Sequence, residues 1–452
     1  MLVKLALGNV RRSLRDFSVY FLTLAFAACL LYSFLASNSY LLALDLTEMQ
    51  RLAFAKAGGV LQAFAVFIDV IFVFLLGYAN AFLLRRRKRE FGMYLLLGLR
   101  PRHVSWVLAL ESAVVGVVAL VAGLALGLVL SPAFGLVAAF VFGVAWQPVF
   151  TFSTSAATTC AISFAVITFI AAVVSVRGIW KRPLIELMQA DRAPERRLLA
   201  GARSMRIQGI AAAILLAFVW GTCLLGPGYF IVFIIPMGFI ALGGTYFLFR
   251  VLSVRVPERL RRRATRYWTG LMPFTVRSVE ARAESGCMAL AAECVLLAAS
   301  MCMTVAGLAF SVGLRTGTDA AGADALASIA FACVFYGAAF LIAAAAILAL
   351  QQLSQASDAI HGYRTLAVLG TPVRLMRGSL RIQVGASFAT PTLMACVHCI
   401  FGFSLIGLLS LLMGAADFAL FAGGTVAFTL IVLGLYYLVT IAVCERTLVS
   451  AS

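Results

Sequence analysis

Three carboxylates stand inside long apolar runs of this sequence: Asp69, Glu111 and Glu293. A charge at mid-membrane depth costs at least about 2.5–3.5 kcal/mol. Each such group must therefore find a partner, give up its charge, or line a path. Asp69 is deepest, nine residues from one end of its run and fifteen from the other. It should face the bundle interior, either bonding a neighbouring helix or lining a gate. Glu111 falls about 8 Å inside the membrane if its helix begins at Trp106, at about 1.5 Å per residue. It can reach back toward Arg102 or the basic residues before it, as a structural polar contact. Glu293 is read in the same way. The string CVHC, Cys396–Cys399, spells a metal site. However, cysteines three apart share a helix face that His398 leaves, and no second ligand pair follows, so helix packing is favoured. No metal site and no catalytic residue is expected. None of the four lysines follows a glycine, which rules out a Walker A loop. ATP-driven work would need a partner.

The elements that position these groups are apolar helices. The chain is 63% hydrophobic and 12% charged, against about 25% charged in soluble domains. About 20 apolar residues span a bilayer. Ten runs qualify, near 17–37, 60–84, 106–131, 154–176, 208–226, 229–249, 289–311, 327–350, 383–411 and 423–443. The piece at 133–145, between Pro132 and Pro148, is too short to cross and reads as interfacial or re-entrant. With the N-terminus inside, 33 of the 36 lysines and arginines fall in cytoplasmic segments, as the positive-inside rule requires. The net charge of +18 thus serves topology, and nucleic acid is not an expected partner. The ten cysteines sit almost entirely in apolar runs, where cysteine behaves as a small hydrophobe.

Shifting the sequence by 272 residues lays the first four runs over the last four. Leu97-Gly98 then falls on Leu369-Gly370, Arg102 on Arg374, and Glu111 on Gln383. Six spans precede the second unit, so the two have the same orientation. The expected fold is an all-α integral membrane protein of about ten helices, two parallel four-helix repeats joined by two central helices. The divisions are 1–180, 181–280 and 281–452. Each repeat presents one basic loop to the cytoplasm, 85–102 and 357–383. Gly98 with Pro101, and Gly370 with Pro372, mark a helix stop and restart. Each loop should be a short helix exposing an aromatic and leucines: Phe91, Tyr94 and Leu95, then Tyr363 and Leu366.

The string RRRKREFGMYLLLG, followed by a Glu-bearing apolar helix, resembles the cytoplasmic signature of FtsX-like permease domains of ABC transporters. The repeat, the ten spans and the central pair are similar to the bacitracin-export subgroup, which handles antimicrobial peptides. The resemblance implies that Glu90, Phe91, Gly92, Tyr94 and Gly98, with Tyr363, Arg364, Leu366 and Gly370, couple to two copies of a cytosolic ABC ATPase. ATP and magnesium would then bind that partner, with no cofactor in this chain. Asp69, Glu111, Glu293 and Gln383 remain as intramembrane polar groups. That subgroup carries a large extracellular domain after the seventh span, where this chain has about a dozen residues near 313–325.

The expected role is a non-enzymatic permease subunit of the bacterial cytoplasmic membrane, both termini inside. It would export or extract a lipid, lipopeptide or peptide, with membrane lipid and a second permease chain as further partners to consider. Two alternatives stay open. One is a regulator that moves an extracytoplasmic partner or sensor kinase without transport, and the other a secondary transporter using Asp69 and Glu111. The topology has a direct test. Single cysteines at Arg51 or Asp417, in a cysteine-free background, should react with an impermeant thiol reagent in intact cells. One at Arg261 should not, and its labelling from outside would overturn both the ten-span order and the parallel repeat.

Overall fold

The computed structural model describes residues 8, 14–42, 87, 90–142, 152–180, 202–316, 320–412 and 418–449. Among them every regular element is a helix: α1 (Leu14–Leu42), α2 (Pro101–Phe142), α3 (Thr154–Trp180), α4 (Ala202–Leu225), α5 (Pro227–Val232), α6 (Ile234–Arg262), α7 (Ala264–Tyr267), α8 (Met272–Thr316), α9 (Ala320–Val368), α10 (Val373–Leu412) and α11 (Phe418–Val449). A further helical stretch covers 90–96. Seven of these helices hold a stretch long and apolar enough to cross a membrane. The expected spans at 17–37 and 327–350 are helical as well, within α1 and α9. The expected span at 60–84, with Asp69, lies outside the described residues. The protein is an all-α membrane protein.

Several helices are far longer than the apolar runs that announce them. At about 1.5 Å per residue, the 42 residues of α2 extend about 63 Å. The 49 residues of α9 extend about 74 Å. A hydrocarbon core is about 30 Å thick, so both rods continue well beyond it. Two expectations change in consequence. The segment 133–142 is not a separate re-entrant piece but the continuation of α2. Proline is tolerated in apolar helices because neighbouring groups satisfy the freed carbonyl, and Pro132 does not break the rod. Likewise the second loop is not a separate short helix: 357–368 is the end of α9.

The chain forms two compact units, Met1–Pro194 with Asp319–Phe331, and Glu195–Thr318 with Ala332–Ser452. The central pair α4 and α6 thus shares a unit with α8, α10 and α11. In the first unit α1 lies against α2 and α3. Contact is close because small residues face each other, the usual basis of helix association in lipid. Gly123 and Gly127 of α2 form a GxxxG step against Ala25, Ala28 and Cys29 of α1. A side-chain carbon on Gly123 would come within 2.5 Å of the Ala25 oxygen and the Ala28 methyl. In the second unit α8 lies on α10, again the first span of a repeat on its third. The position matching Gly123 is Ala395, fully buried. Gly337 of α9 admits Thr304 of α8, and the Ser300 hydroxyl donates to the Gly337 carbonyl at 2.7 Å.

Overpacking a close helix contact costs about 1–3 kcal/mol or more. Gly123→Leu should therefore lower thermal stability in detergent by at least that amount. Gly434→Leu, where a side chain meets nothing within 4 Å, should change it little. Equal loss in both would remove the close-packing account.

Candidate functional site

The first basic loop closes a helical hairpin. Residues 90–96 run back along the start of α2, joined through Gly98. The turn is a Schellman motif: the Gly98 amide donates to Leu95 O (3.1 Å) and the Leu99 amide to Tyr94 O (3.0 Å). Gly98 takes φ +89, a left-handed conformation that glycine adopts without strain. The second loop repeats this in the register 272 residues on. The Gly370 amide donates to Ala367 O (2.9 Å) and the Thr371 amide to Leu366 O (3.0 Å), with Gly370 at φ +80. Helix restart matches too, with His103 and Val104 bonded to Arg100 O as Leu375 and Met376 are to Pro372 O.

Both hairpins turn their aromatic inward. Phe91 is buried against Val104 and Leu108, with Tyr94, Leu95 and Leu99 packed around them. Tyr363 is buried with Ala359, Met376 and Leu380, and its ring meets Phe274 edge-on at 5.2 Å. The expectation that Phe91 and Tyr363 are exposed knobs is therefore corrected. Tyr94, Leu95 and Leu366 are only half-buried, and Gly92 is buried. Packing of each stretch on the helix after it decides the facing, and the apolar side chains left outside lie nearer the turn. Leu96 and Leu97 (80% exposed) do so in the first loop, Val368 (88%) and Leu369 (75%) in the second. Arg364 is exposed.

A buried ion pair sits at the root of the first hairpin. Arg87 is 1% exposed and Glu111 0%. The guanidinium forks onto the carboxylate: Nη1 donates to Oε2, and Nη2 to Oε1 at 3.2 Å. Its Nε donates to Glu90 at 2.8 Å, and its centre lies 5.3 Å from the Phe91 ring centroid. Arg87 touches Glu90, Phe91 and Glu111, and Phe91 packs on Val104 and Leu108, while 104, 108 and 111 share one face of α2, so the pair and the apolar contacts form one seam. Burial pulls the Arg87 pKa down, but the hydrogen bond and charge of Glu111, then of Glu90, more than offset this and hold it above the ordinary value. Breaking such a pair from one side costs about 3–5 kcal/mol. Glu111 thus reaches the basic loop, at Arg87 and not at the exposed Arg102. The signal that could have singled out Arg87 among five cations is its spacing to Glu90 and Phe91.

Where Glu111 stands in the first unit, the second has Gln383. Its Nε2 donates to the Tyr363 hydroxyl (2.9 Å) and to Ser379 Oγ (3.2 Å), and Tyr363 donates to Ser379 (3.1 Å). Thr275 spends its proton on the Leu271 carbonyl (2.9 Å), so across the 2.7 Å contact Ser379 is the donor to Thr275. This neutral chain of donors runs from α10 to the start of α8. The remaining polar groups are not drawn together. Glu293 is fully buried, with neither carboxylate oxygen hydrogen-bonded, so its expected structural polar contact is not found among the described residues. In CVHC, His398 accepts from Trp220 Nε1 (3.1 Å) at Nδ1, which leaves Nε2 to donate to Thr245 (3.0 Å). Cys399 donates to Ala298 O (3.8 Å). The motif ties the central pair to α10.

Residues 63–184 match the family described as FtsX-like permease C-terminal, a range that contains the Arg87–Glu111 seam. Three proteins of Bacillus subtilis (strain 168) are similar to this chain. The uncharacterized ABC transporter permease YvcS is 24% identical over 59% of this chain and 40% of its own length. The ABC transporter permease protein YxdM is 30% identical over 29% and 20%. The bacitracin export permease protein BceB is 23% identical over 28% and 19%. The chain spans less than half the length of these relatives.

The two turns have a backbone test. A methyl group on Gly98 or Gly370 would meet nothing within 4 Å, so any cost of substitution is conformational. Gly98→Ala and Gly370→Ala should each cost about 1 kcal/mol, read as faster amide exchange at Leu99 and Thr371. Asparagine, which accepts the left-handed conformation more readily, should cost less than alanine. The reverse order would contradict the turn geometry.

Proposed function

We propose that this chain is the membrane subunit of an ABC-type complex, moved by a separate ATPase that binds ATP and magnesium. Similarity to ABC transporter permeases supports the class. The observation that carries the mechanism is the pair of like-built tips, Leu96–Leu97 and Val368–Leu369, each outside a glycine-capped turn. Exposed arginines flank both tips, Arg100 and Arg102 at one, Arg364 and Arg374 at the other. An apolar tip ringed by cations fits an apolar groove with an acidic rim. Two such tips fit two copies of one ATPase on the cytoplasmic face.

In this reading Phe91 and Tyr363 act inside the permease, joining each tip to the helices that follow. ATPase closure draws the tips together, and the long helices carry that motion into the membrane. The cargo class is an amphipathic molecule met in the bilayer: a lipid, lipopeptide or antimicrobial peptide. Likeness to a bacitracin export permease favours the peptide arm.

The test is co-purification with a co-expressed ABC ATPase at matched permease levels. Truncating an interface anchor costs about 2 kcal/mol or more, roughly a thirtyfold loss of affinity. Leu96→Ser with Leu97→Ser, or Val368→Ser with Leu369→Ser, should weaken capture by that order while leaving thermal stability near wild type. Phe91→Ala should instead lower stability. Full ATPase retention by both tip variants would rule out the tips as the docking surface.

A further inference from the structure

The internal repeat lets the root of each hairpin be compared position by position. In the register of 272, Arg87 corresponds to Ala359, Phe91 to Tyr363, Val107 to Ser379 and Glu111 to Gln383. All eight are buried. The four differences are chemically linked. Replacing the carboxylate by a carboxamide removes the need for a cation, and Ala359 stands where the guanidinium would be. The carboxamide needs polar neighbours, supplied by the Tyr363 hydroxyl that Phe91 lacks and the Ser379 hydroxyl that Val107 lacks. The apolar floor hardly changes, with Val104 and Leu108 matched by Met376 and Leu380, all buried.

We infer that these four positions act as one exchangeable positioning lock, ionic in the first unit and neutral in the second. In each unit the lock fixes the stretch before the turn to the helix after it. The inference rests on the coupling role proposed for the tips and adds what holds them in place. Its basis is that replacing one half of a buried ion pair strands the other charge, whereas replacing the whole set by a satisfied neutral one does not. Half-exchanged locks should fail, and fully exchanged locks should hold. Phe91 and Tyr363 are then positioning residues, alike in packing but differing in the partner each serves: a cation above the Phe91 ring, a carboxamide on the Tyr363 hydroxyl.

The experiment uses the full chain in detergent or nanodiscs and reads amide exchange over 90–99, which requires no ATPase. Glu111→Gln alone should speed exchange there by at least about a hundredfold, the effect expected of a stranded buried charge. Adding Arg87→Ala, Phe91→Tyr and Val107→Ser to Glu111→Gln should bring the rate back to within about tenfold of wild type. The reciprocal set, Ala359→Arg, Tyr363→Phe, Ser379→Val and Gln383→Glu, should preserve protection over 363–371, whereas Gln383→Glu alone should lose it. Rescue in either unit, which simple loss of packing could not give, supports the lock. An unaffected Glu111→Gln, or fully exchanged sets that exchange as fast as the single variants or fail to insert, overturns it. ATPase capture by wild type is scored separately. Its absence would refute the proposed function while the exchange data still decide the lock.

Discussion

The structure depends on how a charge can be held at the edge of a membrane. Arg87 and Glu111 are both removed from solvent, and neither could remain there alone. Their forked contact, with Glu90 on the third guanidinium nitrogen and Phe91 beneath, satisfies both groups together. Because Arg87 precedes the turn and Glu111 follows it, the same bonds that solve the burial problem fasten the hairpin. The tip carrying Leu96 and Leu97 is thereby attached to a helix of 42 residues. In the proposed coupling, force on the tip would pass into α2 through this contact, which cannot slip without stranding a charge.

The second hairpin meets the same geometric demand without ions. There the fastening is distributed over the Tyr363, Ser379 and Gln383 side chains and ends on the Leu271 carbonyl through Thr275. Each bond in such a chain contributes only about 0.5–1.5 kcal/mol net, but none of its members carries a buried charge. Small residues along α1 and α2, and along α8 and α9, bring helices to contact where lipid offers no hydrophobic gain for association. Tight rods and fastened turns together make each unit stiff along its length.

Legibility in the sequence followed the range of the interaction. The spans among the described residues could be read because hydropathy is a property of each segment. The turns at Gly98 and Gly370 could be read because glycine before proline is local backbone chemistry. Facing could not be read. Nothing in RRRKREFGMYLLLG says which side meets α2, and the aromatic expected outside lies inside, while Leu97 points out. Helix length was also hidden, since counting apolar residues ends at the membrane whereas α9 continues to Val368. Composition treats the five successive cations alike, and the bond from Arg87 to a carboxylate 24 residues on is a tertiary contact that composition does not contain.

Repeats with a common register but different chemistry indicate what is under constraint. Between the two units the residue types at the lock change, while the turn hydrogen bonds, the left-handed glycine and the inward ring are the same. A requirement for charge would have kept Arg and Glu in both units, and a requirement for packing alone would have allowed an apolar residue at 383. What both units keep is a satisfied polar link between the inward face before the turn and the third span. The two solutions differ in how they yield. An ion pair in a low-dielectric seam breaks abruptly, because separation exposes two uncompensated charges, whereas a chain of hydroxyls and amides can exchange partners one bond at a time.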